Sequence, residues 1–326
     1  MTHIWRLEWF GIGKETTRGT AVAPAFWIPH TEASFQNRKE EVIDESSFWT
    51  WLNSANSEKT KEYADGNIKW ILASNWCWYL FEAILGSGVS AATTWWGGAY
   101  QHDFTLTDTN TKPSFTIVKK TPLDTKAYTL GMLSSLTMSA NVGEAVFLDV
   151  NIMAKVGVNT TATKAYAVDN KLYAKHLKVK IADDIAGLDW ASGSCFENIE
   201  LSLTQDLENE FCFNSGVGIG DIFNKAFWAT GTIGRIKQDN TFEWFALSDP
   251  TTYKAMRIEI IDTGVTIGTS DNPSVIIDLA RVSFGIPEDD AGLDEIVRET
   301  IPFTVHQDIA NWENIDIKVI NTLSAY

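Results

Sequence analysis

Residues 66–81 read GNIKWILASNWCWYLF, and residues 231–246 read GTIGRIKQDNTFEWFA. Laid together without a gap, they agree at Gly66/Gly231, Ile68/Ile233, Ile71/Ile236 and Asn75/Asn240. The pairs Tyr79/Trp244 and Leu80/Phe245 keep large apolar side chains in register. Each stretch reads as a strand running into a capped helix. A long strand and loop precede each, and further strands follow. The order of elements therefore repeats along the chain.

A chain of 326 residues can hold two domains of ordinary size. Its apolar content of 44% is enough for each to bury a core. The longest apolar candidate, Trp70–Leu85, is broken by Ser74, Asn75 and Glu82, so it does not read as a membrane span. The opening MTHIWRLEWFGIGK lacks a basic-then-apolar leader, and folding in cytoplasm is the expectation. Cys77, Cys195 and Cys212 form no CxxC pair, which suggests neither a disulfide framework nor a zinc knuckle.

The net charge of −16 is unevenly spread. Residues 1–165 carry 14 basic and 16 acidic residues, a balance of −2; residues 166–326 carry 12 and 26, a balance of −14. Binding to phosphate needs an excess of Lys and Arg, so nucleic acid is repelled at long range. Such a surface keeps a protein dispersed, and it would also let DNA pass without sticking.

Along the chain, Gly11–Pro24 (GIGKETTRGTAVAP) reads as an extended arm or loop. Phe26–Val42 reads as a strand, 43–60 as a long loop with aromatics on polar ground, and Tyr63–Leu72 as a second strand. Ser74 or Asn75 should cap the following helix and Gly86 should end it. Gly131–Ala140 and Ala145–Ala154 form a hairpin around Asn141-Val142-Gly143. The small, polar segment 157–170 reads as a linker, dividing the chain into domains 1–170 and 171–326. In the second half, strands are expected at Leu172–Ile181, Phe196–Leu203, Trp228–Ile236, Met256–Ile261, Val275–Phe284 and Ile296–Val305. Asp239 or Asn240 should cap a short helix, Glu288–Glu295 reads as an acidic turn, and Trp312–Ile320 alternates like a strand that adds to a sheet edge. The fold class is mainly β, in two tandem units with one helix each.

No catalytic kit emerges. Gly11-Ile12-Gly13-Lys14-Glu15 lacks the spacing and hydroxyl of a phosphate loop, and Gly216-Val217-Gly218-Ile219-Gly220 lacks a crossover helix. The five histidines, His3, His30, His102, His176 and His306, show no metal spacing, and no GxSxG accompanies His102-Asp103. Glu288, Asp289, Asp290, Asp294 and Glu295 lack the alternation of a calcium loop. Asn159-Thr160-Thr161 matches a glycosylation sequon, which has no meaning without secretion.

The 14 tryptophans divide by context. Trp70, Trp76, Trp78, Trp228 and Trp244 read as core, whereas Trp49 and Trp51 sit in a polar loop and read as interface anchors. Trp49, Trp51, Trp95 and Trp96 could instead form the stacking platforms of a carbohydrate-binding β-sandwich module of a phage tail.

Five runs carry a family likeness: GIGKETTRGTAVAP at 11–24, YADGNIKW through ILG at 63–86, YQHDFTLTDTNTKPSFTI at 100–117, GMLSSLTMSANVGEAVFLDVNIMAKVG at 131–157, and NPSVIIDLARVSFGIPEDDAG at 272–292 followed by Ile296–His306. In this order they resemble the major tail tube proteins of long, flexible-tailed bacteriophages. The resemblance implies tube domains of β-sandwich or barrel type, each flanked by a helix, with no enzyme activity and no cofactor. Family rings hold six such domains, so two per chain imply a homotrimer, a pseudo-hexameric ring, stacked into a hollow virion tube for DNA ejection. The implied partners are the chain itself, a tape measure protein inside the tube before ejection, tail terminator and distal tail proteins, and DNA passing without specific binding. No membrane is involved. The candidate ring-stacking residues are Phe48, Trp49, Trp51 and Leu52 in one loop, matched in role by Phe211, Phe213, Val217 and Ile219 in the other.

Overall fold

Long antiparallel hairpins carry the architecture. The computed structural model describes residues 5–324, apart from 47–48, 50, 55, 96, 108–111, 167–168, 214–215, 238–242, 250 and 292–295. The first repeat contains β1 (Trp9–Lys14), β2 (Phe26–Ile28), β3 (His30–Ala33), β4 (Gln36–Asp44), β5 (Asn56–Ile71), α1 (Trp78–Leu85), β6 (Gly86–Trp95), β7 (Ala99–Leu106), β8 (Phe115–Lys120), β9 (Thr125–Asn141), β10 (Phe147–Ala154) and β11 (Val158–Asn159). The second contains β12 (Leu177–Ala182), α2 (Ile185–Leu188), β13 (Asn198–Asn209), β14 (Ile222–Ile236), α3 (Glu243–Leu247), β15 (Lys254–Ile261), β16 (Ser274–Phe284), β17 (Glu288–Asp290), β18 (Arg298–His306) and β19 (Ile315–Asn321). The chain is mainly β, as the alternation of its sequence predicts.

The repeat read from two glycines extends to the hydrogen-bonding pattern. The first half pairs β1–β8–β9–β10–β5–β4, and the second pairs β12–β15–β16–β18–β14–β13 in the same order. Gly66 faces Ile152 on β10, and Gly231 faces Phe303 on β18. Between Ile152 and Asn151 the register of β10 against β9 slips by one residue. The same slip recurs where Phe303 faces Phe284 but Thr300 faces Glu288. A bulge re-aims a strand, and the two bulges occupy equivalent places. β17 is thus the continuation of β16 beyond its bulge, matching the second half of β9.

The two repeats join without a break. β9 pairs with β13 over Ser135–Asn141 and Asn198–Thr204. Eight strands then form one antiparallel sheet in the order β4–β5–β10–β9–β13–β14–β18–β17. Behind it lie β2–β1–β8 with the start of β9, and β12–β15–β16, which β19 joins to the β7–β6 hairpin. β19 is a strand, as its alternating sequence suggests, but it is paired on both flanks, by β16 and β7, rather than standing at an edge. The main buried apolar cluster spans both repeats, with Phe35, Ile68, Leu80 and Leu136 from the first and Leu201, Ile233, Ile258 and Ile277 from the second; two smaller clusters lie apart from it.

α1 is apolar on every side except Glu82, and all eight of its residues are buried. Gly86 ends it at φ 92°, as expected. Its N-terminus departs from expectation. The residue before the helix is Cys77, and no side chain caps it. The backbone N–H of Asn75 instead donates to the Asp169 carboxylate at 3.1 Å. Burial pushes that carboxyl up to about 6, against the pull of the N–H donors. At the other end Lys112 Nζ donates to the Ile84 carbonyl. Segment 157–170 is thus no free tether: Tyr166 packs on Trp9 at 4.3 Å, and Asp169 holds the turn before α1. Leu172 is buried beyond it, donating to Leu72 and accepting from Val146. The stretch read as an arm, Gly11–Pro24, begins as strand β1. Trp244 on α3 packs edge-on against Phe284 at 5.3 Å, and Tyr79 on α1 packs edge-on against Phe115 at 6.0 Å. The expected caps of this helix, Asp239 and Asn240, lie outside the described residues.

At Gly66 the backbone has φ +147°, and a Cβ would stand 2.6 Å from Phe35 Cα. At Gly231 a Cβ would stand 2.1 Å from the Glu200 carbonyl oxygen. Gly66→Ala and Gly231→Ala should each cost about 2–4 kcal/mol, through backbone strain and overpacking at Gly66 and through overpacking at Gly231. Urea unfolding checks this: a loss under about 0.5 kcal/mol, the range of ordinary surface changes, would show that the two glycines are not structural pins.

Candidate assembly surfaces

Alternation along the eight-stranded sheet sends every second side chain into the core and leaves the other face open. The open face is a carpet of hydroxyls and amides. β9 contributes Ser135, Thr137 and Ser139; β13 contributes Ser202 and Thr204; β14 contributes Thr230 and Thr232; β18 contributes Thr300 and Thr304. These groups bond across strands: Asn151 donates to Ser135 Oγ at 3.0 Å, and Thr137 Oγ1 lies 3.1 Å from Ser202 Oγ. Asn67 donates to Asp149, whose carboxyl burial pushes up while Lys69 pulls it down. Arg38 is bound to Asp65 at 2.6 Å, and Glu200 is exposed. Such a face holds water well. It presents no row of cations that could grip phosphate.

The sheet ends in two edges. Among the described residues, β3 and β4 pair only with β5, and β17 pairs only with β18. The β17 edge, Ile286-Pro287-Glu288-Asp289-Asp290, is acidic, and all three of its acids are exposed. The β4 edge carries charges of both signs, Arg38 and Lys39 followed by Glu40 and Glu41, also exposed. Charged side chains and proline are the usual means of keeping open edges from pairing at random.

The tips of the two long hairpins hold the sequence-predicted contact residues. Phe48 lies outside the described residues. Trp49, Trp51 and Leu52 are exposed, Trp49 with φ 58°. Phe213 is also exposed. The rest of the second loop differs from that expectation. Ile219 is buried with Leu130, Met132 and Ile222. Phe211 is half-buried, with Lys61 Nζ 5.2 Å over its ring, and the Val217 carbonyl accepts the Glu62 N–H at 2.7 Å. The loop leans back over the first repeat, covering the gap between the hairpins, so only its tip stays outside. Trp70, Trp76, Trp78 and Trp244 are core, as expected, but Trp228 is half exposed. Trp95 ends strand β6, and Trp96 lies outside the described residues.

Three joints gave no sequence signal. Arg18 donates to Asp221 Oδ1 at 2.8 Å, to the Lys112 carbonyl at 2.9 Å and to the Ile222 carbonyl, tying both repeats together. Lys112, whose ammonium burial pushes down to about 8, lies 5.0 Å from the Phe227 ring. Glu15 stands where a phosphate loop would need a hydroxyl. It is buried, and accepts from Ser114 Oγ at 2.6 Å, Thr116 Oγ1 at 2.9 Å, Gly19 N at 2.6 Å and Leu130 N at 2.9 Å. Among the described residues no three His, Cys, Asp or Glu side chains converge as metal ligands would.

One protein family, described as "Phage tail tube protein", has a sequence profile that matches residues 10–305. No curated protein matches the chain.

Arg18→Ala removes one donor from the part-exposed Asp221 carboxylate and from the Lys112 and Ile222 carbonyls, at a cost of about 1–2 kcal/mol. The loop 210–221 should loosen first. Hydrogen exchange should quicken at the Glu62 amide, which donates to that loop, while amides in β16 keep their protection. Equal exchange at Glu62 in both proteins would mean that Arg18 does not hold the loop.

Proposed function

The chain belongs to the phage tail tube protein family, a structural component of the virion tail and not an enzyme, and on that footing we propose that it assembles into rings that stack as the tube wall. The observation that carries this reading is the single sheet drawn equally from both repeats, open on one face and ended by two unpaired edges. Domains 1–170 and 171–326 act as two tube domains in one chain, so three chains make a pseudo-hexameric ring. Joining the edges of neighbouring copies hydrogen-bonds otherwise exposed backbone and closes the sheet into a barrel.

The hydroxyl-rich face then lines the channel. DNA ejection needs a wall that does not bind phosphate, and a hydrated face of Ser, Thr and Asn with exposed acids such as Glu200 meets that need. The tape measure protein occupies this channel before ejection, and terminator and distal tail proteins close its two ends. Monomers assemble in the host cytoplasm, kept dispersed until nucleation by a net charge of −16. Ring-to-ring contact falls to the hairpin tips, where Trp49, Trp51, Leu52 and Phe213 stand in solvent. Phe48 shares that loop; Phe211, Val217 and Ile219 support the other tip from below.

Negative-stain microscopy of the purified protein tests the reading, with rings or tubes expected. Trp49→Ala with Trp51→Ala should leave a folded, soluble chain whose tubes are short or missing; tubes of ordinary length would remove these tryptophans from the stack. A wall made basic by Ser135→Lys, Glu200→Lys and Thr230→Lys should still assemble but slow DNA ejection, as read by dye release from single virions. Unaltered ejection kinetics would place this face elsewhere than the channel.

A further inference from the structure

The joint between the repeats occurs once inside the chain, and its two halves recur unpaired at the chain's outer edges. At the inner joint β9 meets β13 with Ser135 opposite Thr204, Thr137 opposite Ser202 and Ser139 opposite Glu200. The repeat fixes what corresponds to each side. Asp149 faces Thr137 where Thr300 faces Glu288, and Phe147 faces Ser139 where Arg298 faces Asp290. So Thr137 and Ser139 correspond to Glu288 and Asp290, and Ser135 to Ile286. On the other side Leu201 faces Gly231, while the Gln36–Asp65 and Ala33–Ile68 pairs set Phe35 opposite Gly66. Leu201 thus corresponds to Phe35, and Glu200, Ser202 and Thr204 to Ser34, Gln36 and Arg38.

We infer that the β17 edge of one copy pairs antiparallel with the β3–β4 edge of the next, with Ile286 opposite Arg38, Glu288 opposite Gln36 and Asp290 opposite Ser34. The partner is a second copy of this chain, and the inference rests on the ring reading above while adding the edges, the direction and the register. Charge favours it locally: Arg38, opposite Ile286, lies diagonal to Glu288, while the acids of β4, Glu40, Glu41 and Asp44, fall beyond the acidic run. Pairing β17 with β17 would set acid against acid. At the inner joint Thr137 and Ser202 touch through hydroxyls at 3.1 Å; their counterparts Glu288 and Gln36 supply a carboxylate acceptor and an amide donor.

A second observation points to the same partner. Inside the chain, loop 210–221 covers the first repeat's hairpin, and Tyr63 on β5 packs against its buried cluster. Trp228 is the counterpart of Tyr63 on β14, by the offset that relates Gly66 to Gly231. It is 52% exposed, and among the described residues no equivalent loop covers it within the chain. The equivalent loop is 45–55, which carries the exposed Leu52 and Trp51. With Glu288 opposite Gln36, the next copy brings that loop beside Trp228.

The test is a disulfide between directly opposed positions, where Cα atoms approach to about 4.5–5.5 Å. In a Cys195→Ser, Cys212→Ser background, Gln36→Cys with Glu288→Cys should crosslink on mild oxidation of assembled protein, with a closed three-chain species as the limit. Gln36→Cys with Asp290→Cys, one pair out of register, should give at least fivefold less. Hydrogen exchange on the unmodified protein guards against variants that fail to assemble: the Ser34 N–H donates to Asn67 on β5, so alternation turns the Asn37 amide, and in this register the Asp289 amide, toward the joint, and these two should slow at least tenfold on assembly. Rings or tubes with no such crosslink and no such protection overturn the register and leave the ring reading standing. No rings or tubes from the unmodified chain overturn the ring reading, and this inference with it.

Discussion

The constraint on which the rest depends is that β9 must be hydrogen-bonded on both flanks. Its second half lies between β10 and β13, so it belongs to both repeats at once. A strand paired on one side alone would expose a row of donors and acceptors at the middle of the molecule. Pairing it with β13 removes that row and brings Leu136 and Met138 into the core that also holds Leu201 and Leu203. The fusion of two repeats into one sheet and the connected core both follow. Arg18 and Lys112 reach across this joint, Arg18 by hydrogen bonds to Asp221 and Lys112 by its ammonium over the Phe227 ring, where loops would otherwise part.

Much of this was legible in the sequence, for physical reasons that can be named. Period-two alternation marked the long strands, because one face of each is buried and the other is wet. The glycines at 66 and 231 marked the repeat, since a close strand crossing tolerates no Cβ at either place. Gly86 marked the helix end. What could not be read are contacts between residues far apart. Asp169 serves the turn before α1 across 94 positions, and Arg18 reaches Asp221 across 203. Neither has a local pattern. Glu15 looked like a defect in a phosphate loop and proves to be the acceptor that organises that turn.

The misread residues share one cause. The immediate sequence neighbours of Ile219 and Trp228 say little about either, because each is decided by how a loop leans in space. The loop 210–221 falls back on the first repeat and buries Ile219. The same lean, absent at the other end of the chain, leaves Trp228 in solvent. A polar, glycine-rich loop gives no periodicity from which its direction could be inferred.

The two joints also differ in chemistry, and the difference is intelligible. Inside the chain β9 and β13 belong to one polypeptide, so their meeting is intramolecular and needs no steering. Neutral Ser and Thr side chains on the open face suffice there. The outer edges carry Glu288, Asp289 and Asp290 on one side and Arg38 and Lys39 on the other. An edge between separate molecules has two tasks that an internal joint lacks. It must not pair with itself or with the wrong strand, and it must select one direction of approach. Like charges along β17 serve the first task, and the diagonal of Glu288 with Arg38 across the joint serves the second. Pro287 removes one backbone donor from that edge, which further limits accidental pairing before a specific partner is in place. The repeat that makes the two edges equivalent in shape has thus kept them distinct in charge, which a chain that closes head to tail requires.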